Sequence, residues 1–199
     1  MNKIESKILK GTRDFLPEDK AKRDYVIGKI RSIFEKYGYD SIETPVIEYA
    51  ETILGKYGEE GDKLTYSFED NGGRQIALRY DQTVPFARFF AQYHGVLPHP
   101  FKRYEINRVW RADKPQKGRY REFYQCDIDA IATESPLADV EMLMVTRDVF
   151  ESLGFENYTI RVNHRGLLNS ILESLGVNAD FLKVISAIDK LDKVGIKGV

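Results

Sequence analysis

The stretch from Phe101 to Ile131, FKRYEINRVWRADKPQKGRYREFYQCDIDAI, constrains the fold more than any other part of the chain. It reads as two strands joined by a basic loop. Between Lys102 and Arg121 it carries Lys102, Arg103, Arg108, Arg111, Lys114, Lys117, Arg119 and Arg121, against only Glu105 and Asp113. The chain as a whole is balanced, with 30 basic and 31 acidic residues, so the surplus is local. A patch of this kind calls for a polyanionic partner. Tyr104, Trp110, Tyr120, Phe123 and Tyr124 are interleaved with the charges and offer flat faces on which a base can stack. A phosphate and nucleotide site on a rigid hairpin is the expectation.

A length of 199 residues suits one large domain, or a domain with a small appendage. Cys126 is the only cysteine, which rules out an intrachain disulfide and a thiolate zinc cluster. His94, His99 and His164 are not spaced as a ligand cluster, so no structural metal held by protein ligands is expected. No apolar run approaches the roughly 20 residues of a membrane helix, and MNKIESKILKG has no apolar core of a secretory signal. A cytoplasmic protein without a membrane partner is expected.

Apolar residues at Val26, Ile27, Ile30, Ile33, Phe34 and Tyr37 predict a helix over 18–37, stopped by Gly38. A short strand in YDSIETPVIE breaks at Pro45. LTYSFEDNGGRQIALRY reads as a hairpin, with strands near 64–69 and 75–79 around Asn71-Gly72-Gly73. A helix from Thr83 to Tyr93 follows, with Thr83 as candidate cap and Pro85 in its first turn. Helices are predicted near 136–153, 165–175 and 179–190, with a strand at 158–162. The pattern is α+β: an antiparallel sheet flanked by helices. Neither GxxxxGK[ST] nor a GxGxxG after a strand occurs, so any ATP is held by other means.

RVWRADKPQKGRYREFYQCDID resembles motif 2 of the class II aminoacyl-tRNA synthetases, in the form typical of the histidyl-tRNA synthetases. KGTRDFLPED at 10–19, YGYDSIETPVIE at 37–48 and ALRYDQTVP at 77–85 agree with that family and stand in its order. The resemblance implies a class II antiparallel sheet, with motif 1 at about 30–48 and motif 2 at about 101–131. Motif 1 implies a homodimer. The activity implied is ligation: ATP, with Mg2+, activates L-histidine as the adenylate, and histidine passes to tRNA(His). Residues 10–19 are implied to pack near the active site.

The resemblance carries roles residue by residue. Arg111 occupies the position of the motif 2 arginine that contacts the α-phosphate and the substrate carboxylate. Arg119 matches the position that grips the γ-phosphate side, Asp113 faces the adenine amino group or the loop backbone, and Phe123 stacks on adenine. Asp81 and Thr83 match the acidic-x-Thr pair that receives the α-amino group. Gln125 is implied to contact the amino acid and Asp129 to accept from the imidazole. Their even spacing places them on one strand face with Phe123 and Asp127. Aspartate stands at 81 and 129, where relatives often carry glutamate. Lys114, Gln116 and Lys117 would face the tRNA acceptor end.

Neither the family's R-G-L-D-Y-Y-T-G segment, nor its motif 3 arginine, nor its anticodon-binding domain occurs in the 199 residues. Residues 1–190 therefore resemble the amino-terminal part of the catalytic domain, and 191–199 the start of a truncated insertion. The fold is expected to be incomplete and the chain alone unable to charge tRNA. The first alternative is a synthetase-like regulatory subunit of ATP phosphoribosyltransferase, disfavoured by the intact Arg111, Arg119 and KPQKGRY loop. A class II enzyme for proline or threonine lacks support from QCDID. A plain nucleic-acid-binding hairpin leaves Asp81, Thr83, Gln125 and Asp129 unexplained.

Overall fold

A computed structural model describes residues 5–176, together with 184 and 195. The helix expected at 179–190 and the insertion start at 191–199 lie, apart from those two positions, outside the described residues. Two units divide the chain, 1–157 and 158–199.

The first unit opens with α1 (Pro17–Lys36). Pro17 sits in its first turn with Glu18 and Asp19, where a missing N–H costs nothing and negative charge meets the positive helix end. At its other end Gly38, at φ 74°, lets the chain reverse so that the Tyr39 amide reaches Phe34 O at 3.1 Å. Next come β1 (Asp40–Ser41) and β2 (Ile47–Tyr49), separated across Pro45 as expected. Two short helices follow that the sequence pattern did not suggest, α2 (Ala50–Ile53) and α3 (Gly58–Leu64). β3 (Ser67–Glu69) and β4 (Gln75–Leu78) form the expected hairpin. Its strand starts late because Leu64 closes α3. The Asp70 carboxylate accepts the amides of Gly72 and Arg74, both at 2.9 Å, which fixes the turn.

α4 (Thr83–Tyr93), β5 (Phe101–Trp110), β6 (Glu122–Ile131) and α5 (Pro136–Ser152) complete the unit. Thr83 does not cap α4. It is already helical and exposed, and Asp81 Oδ1 instead accepts the amides of Thr83 and Val84 at 3.0 and 3.3 Å. Ser135 does cap α5, accepting from the Leu137 amide.

Two three-stranded sheets result, ordered β1-β5-β6 and β2-β4-β3. All pairings are antiparallel except β1 beside β5, where Asp40 meets Arg103 and Ser41 meets Tyr104. β5 and β6 pair along ten residues each, from Phe101 opposite Ile131 to Trp110 opposite Glu122. Alternation gives this hairpin two unlike faces. Tyr104, Ile106, Cys126 and Ile128 pack with Phe34 and Tyr39 at the end of α1 and with Val145 of α5, forming the core. The other face carries Arg103, Glu105, Asn107 and Val109 opposite Asp129, Asp127, Gln125 and Phe123. The α+β class is as expected.

In the second unit α6 (Arg165–Ser174) matches its expectation, and His164 Nδ1 caps it by accepting the Leu167 amide at 3.2 Å. No strand forms at 158–162, because a strand needs a laddered neighbour and none pairs there among the described residues. None of the described helices is long and apolar enough to cross a membrane.

Candidate functional site

Two regions of the hairpin carry the chemistry, and a buried ion-pair frame holds them in place. Arg79, at the end of β4, is fully buried. Its Nη1 lies 2.8 Å from Glu105 Oε1, its Nε donates to Arg108 O at 2.8 Å, and Nη1 also reaches Thr44 O at 2.9 Å. The Thr44 hydroxyl and amide donate to the same Glu105 carboxylate. One charge pair thus ties the β1–β2 link, β4 and β5 together.

At the loop end of the hairpin lies a cavity of about 570 Å³ lined by Arg13, Tyr57, Gly61, Leu64, Tyr80, Arg111, Asp113, Gly118, Arg119, Tyr120 and Phe123. All four residues expected at a nucleotide, Arg111, Asp113, Arg119 and Phe123, line it together. Arg111 Nε donates to Tyr80 O at 3.1 Å, and its guanidinium lies over the Tyr80 and Phe123 rings at 4.3 and 5.2 Å. A guanidinium hydrogen-bonded at Nε and packed against two rings is restrained in orientation, which suits recognition of a phosphate. Arg119 reaches Asp113 Oδ1 at 3.5 Å across the turn closed by Gln116 and Arg119.

Arg13, Tyr57 and Tyr80 were not singled out from the sequence. Arg13 arrives from KGTRDFLPED, its guanidinium 3.4 Å from the centroid of the Tyr120 ring. The segment is latched to the loop: the Arg121 amide donates to Gly11 O at 2.7 Å, and Arg121 Nη1 to Lys10 O at 3.3 Å. Gly11 is required there. Its φ is 91°, and a Cβ would meet Arg121 and Pro115 carbons at 2.9 Å. The expected packing of 10–19 near the site was the only signal for Arg13.

The basic surplus is smaller at the surface than the sequence suggested. Lys102 pairs with Glu141 at 2.8 Å, Arg103 is fully buried against Asp129, and Arg108 lies 3.4 Å from Glu122. Charge patterning along a strand does not reveal cross-strand neutralisation. What stays exposed is the tip, with Lys114, Gln116, Lys117 and Arg119.

The second region lies further along the same hairpin face. Gln125, Asp127 and Asp129 are half-buried on β6, and Asp81 sits before α4. Asp81 Oδ1 accepts the Tyr57 hydroxyl at 2.6 Å, linking this region to the cavity. Burial pushes the Asp127 carboxyl up to about 6; Arg103 opposes the rise, and Asp129, Asp81 and Glu105 add to it. Asp129 is also raised by burial, against the pull of Arg103. Such a face, rich in carboxylate and short of free cations, suits a cationic or N–H-donating ligand. Thr83 lies at the exposed start of α4 beside Asp81. The Cys126 thiol, on the opposite face, is pushed up to about 11 by burial and is unsuited to nucleophilic work.

The family model described as histidyl-tRNA synthetase matches residues 11–199. The histidine–tRNA ligase of Treponema denticola is 45% identical over 192 residues, covering 96% of this chain and 43% of that protein. The crystal structure of histidyl-tRNA synthetase from Nostoc sp. PCC 7120 superposes with a TM-score of 0.84 at 34% identity, covering 97% of this chain and 43% of that one. A structure described as an ATP phosphoribosyltransferase regulatory subunit/histidyl-tRNA synthetase, from Bacillus halodurans C, has a TM-score of 0.71 at 26% identity, with coverage of 85% and 45%. The chain spans less than half the length of the curated relatives it matches.

Proposed function

This chain belongs to the histidyl-tRNA synthetase family, and from that premise we propose that it carries the histidine- and ATP-binding part of a histidine–tRNA ligase. The single observation behind the proposal is the gathering of Arg111, Asp113, Arg119 and Phe123 around one cavity. The reaction joins two anions, since a carboxylate attacks the α-phosphate of ATP and expels pyrophosphate. The site must therefore offset negative charge at the reacting atoms. Arg111 is the catalytic residue of this reading: it holds the α-phosphate and the histidine carboxylate together. Arg119 holds the γ-phosphate side of ATP, which arrives with its Mg2+. Phe123 stacks against adenine and Asp113 receives its amino group or orders the loop.

Histidine lies along the carboxylate face. Asp81 and Thr83 take its ammonium group, and Gln125 and Asp129 its polar contacts, with Asp129 accepting from the imidazole N–H. The exposed Lys114, Gln116 and Lys117 meet the acceptor end of tRNA(His), where lysines neutralise phosphates and an amide reads a base edge. The whole protein works as a cytoplasmic homodimer. The exposed Val46, Ile47, Tyr49 and Phe68 on the second sheet and beside it support a covered surface there. The chain spans under half the length of its curated relatives, and the activity proposed is that of the whole protein.

The test uses Trp110, the only tryptophan, which neighbours Arg111 and donates from Nε1 to Glu122 at 3.0 Å. ATP with Mg2+ should shift its fluorescence saturably. Arg111→Met and Phe123→Ala should each weaken binding by roughly tenfold or more. Unchanged binding in both variants would remove the nucleotide from this cavity. The regulatory-subunit reading draws on the Bacillus halodurans likeness. It predicts histidine binding with no ATP response.

A further inference from the structure

Arg103 is fully buried in the middle of the carboxylate face. It stands directly opposite Asp129 in the β5–β6 ladder, and its Nη2 pairs with Asp129 Oδ2. The same nitrogen donates to Gln82 O at 3.2 Å. Gln82 stands between Asp81 and Thr83, and its own Nε2 donates to Asn107 O on β5 at 3.0 Å. The Phe86 ring lies 4.5 Å from the Arg103 guanidinium and covers it. Nε and Nη1 have no hydrogen-bond partner among the described residues, so Asp129 and the Gln82 carbonyl carry its polar hold.

We propose that Arg103 is a positioning residue for the amino-acid pocket, joining its two halves through one guanidinium. One half is Asp129 on β6, and the other is the Asp81–Gln82–Thr83 segment that starts α4. This deepens, and rests on, the histidine reading given above. The physical need is plain. A half-buried carboxylate beside two others tends to take a proton, and a protonated Asp129 loses its advantage as an acceptor. A buried guanidinium beside it favours the carboxylate form and also sets its distance from the ammonium-side segment. The titratable and charged groups facing the Arg103–Asp129 pair are Glu105 from β5, Asp127 from β6, Asp81 before α4 and the Tyr39 hydroxyl before β1. Arg103 is the cation of the pair. Burial lowers its pKa while Asp129, Asp127, Glu105 and Asp81 raise it. Asp127, two residues from Asp129 on the same face, makes no described ion pair and is left to hold the proton.

The experiment is a carboxyl carbon NMR titration of the chain, with Arg103→Met and Arg103→Lys beside it. In the unmodified protein Asp129 titrates at lower pH than Asp127. In Arg103→Met that order disappears and Asp129 rises by about one unit or more. Arg103→Lys keeps the charge and restores most of the difference. Coincident or reversed titration in the unmodified chain overturns the proposal, as does an Asp129 unmoved in a folded Arg103→Met. If Arg103→Met does not fold, the order in the unmodified chain still decides. A parallel calorimetric titration with L-histidine separates the two ideas. If histidine fails to bind while Asp129 follows Arg103, the histidine reading falls and the coupling stands.

Discussion

The Tyr57 hydroxyl donates to Asp81 Oδ1 at 2.6 Å, and that same oxygen accepts the Thr83 and Val84 amides. One carboxylate oxygen therefore anchors α3's leading edge and the start of α4. Burial, and then Asp81, push the tyrosine hydroxyl above its ordinary pKa, so it remains a donor. Tyr57→Phe is expected to cost about 1.5 to 3 kcal/mol, the range for a hydrogen bond to a charged group. Urea unfolding measures it, and a loss under about 0.5 kcal/mol would show that the backbone amides hold Asp81 unaided.

Gly11→Ala should release the amino-terminal segment from the loop. The positive φ costs about 1 to 2 kcal/mol, and the new Cβ would crowd Arg121 and Pro115. The effect should be local: faster proteolysis within 5–16 and weaker ATP binding through displaced Arg13, with little change in the global unfolding midpoint. Unchanged protection of that segment would contradict the latch.

Glu105→Ala should be among the most damaging single changes. It strands the fully buried Arg79 charge, at a cost of roughly 3–5 kcal/mol. Replacing both partners with apolar residues of similar size should recover most of that loss. Chemical denaturation of the single and double variants tests this, and equal damage in both would rule out the stranded charge as the cause.

Acid should act on stability in two opposite ways. Asp127 titrates near 6 when folded, above its value of 3.8 in the absence of the fold, so the folded chain binds the extra proton between about 6 and 4. Stability therefore rises as pH falls through that window, and Asp129 adds to the rise. Asp148 behaves in reverse. Arg147, then Tyr37 and Lys36, hold it at about 2, so its contribution is present above about 4 and is lost as pH falls toward 2. Thermal midpoints from pH 7 to 2 should show a rise and then a fall. Asp127→Asn should remove the rise and stabilise the chain at pH 7 by about 1 kcal/mol. Asp148→Asn should flatten the fall, and an unchanged upper limb in Asp127→Asn would refute the assignment.

Local pattern carried α1, α4, α5 and the long hairpin, because each has a clear period and a stop signal: Gly38 after α1, and the basic loop between β5 and β6. Arg111, Asp113, Arg119 and Phe123 were singled out through the motif 2 resemblance, and they line one cavity because a single hairpin supplies them all. α2 and α3 were not, since four and seven residues, one of them starting at a glycine, show no helical period. Arg13, Tyr57 and Tyr80 reach the cavity from three other segments, and only tertiary folding joins them. Arg103 was read as part of a polyanion-binding patch. It is buried because register sets it against Asp129, a relation absent from the order of residues along one strand.

The most direct measurement is calorimetric titration of the folded chain with L-histidine, with L-proline and Asp129→Ala as controls. A carboxylate face built for histidine predicts saturable heat with L-histidine, none with L-proline, and its loss in Asp129→Ala. Equal binding of both amino acids, or histidine binding that survives Asp129→Ala, would contradict the assignment of this face to the imidazole.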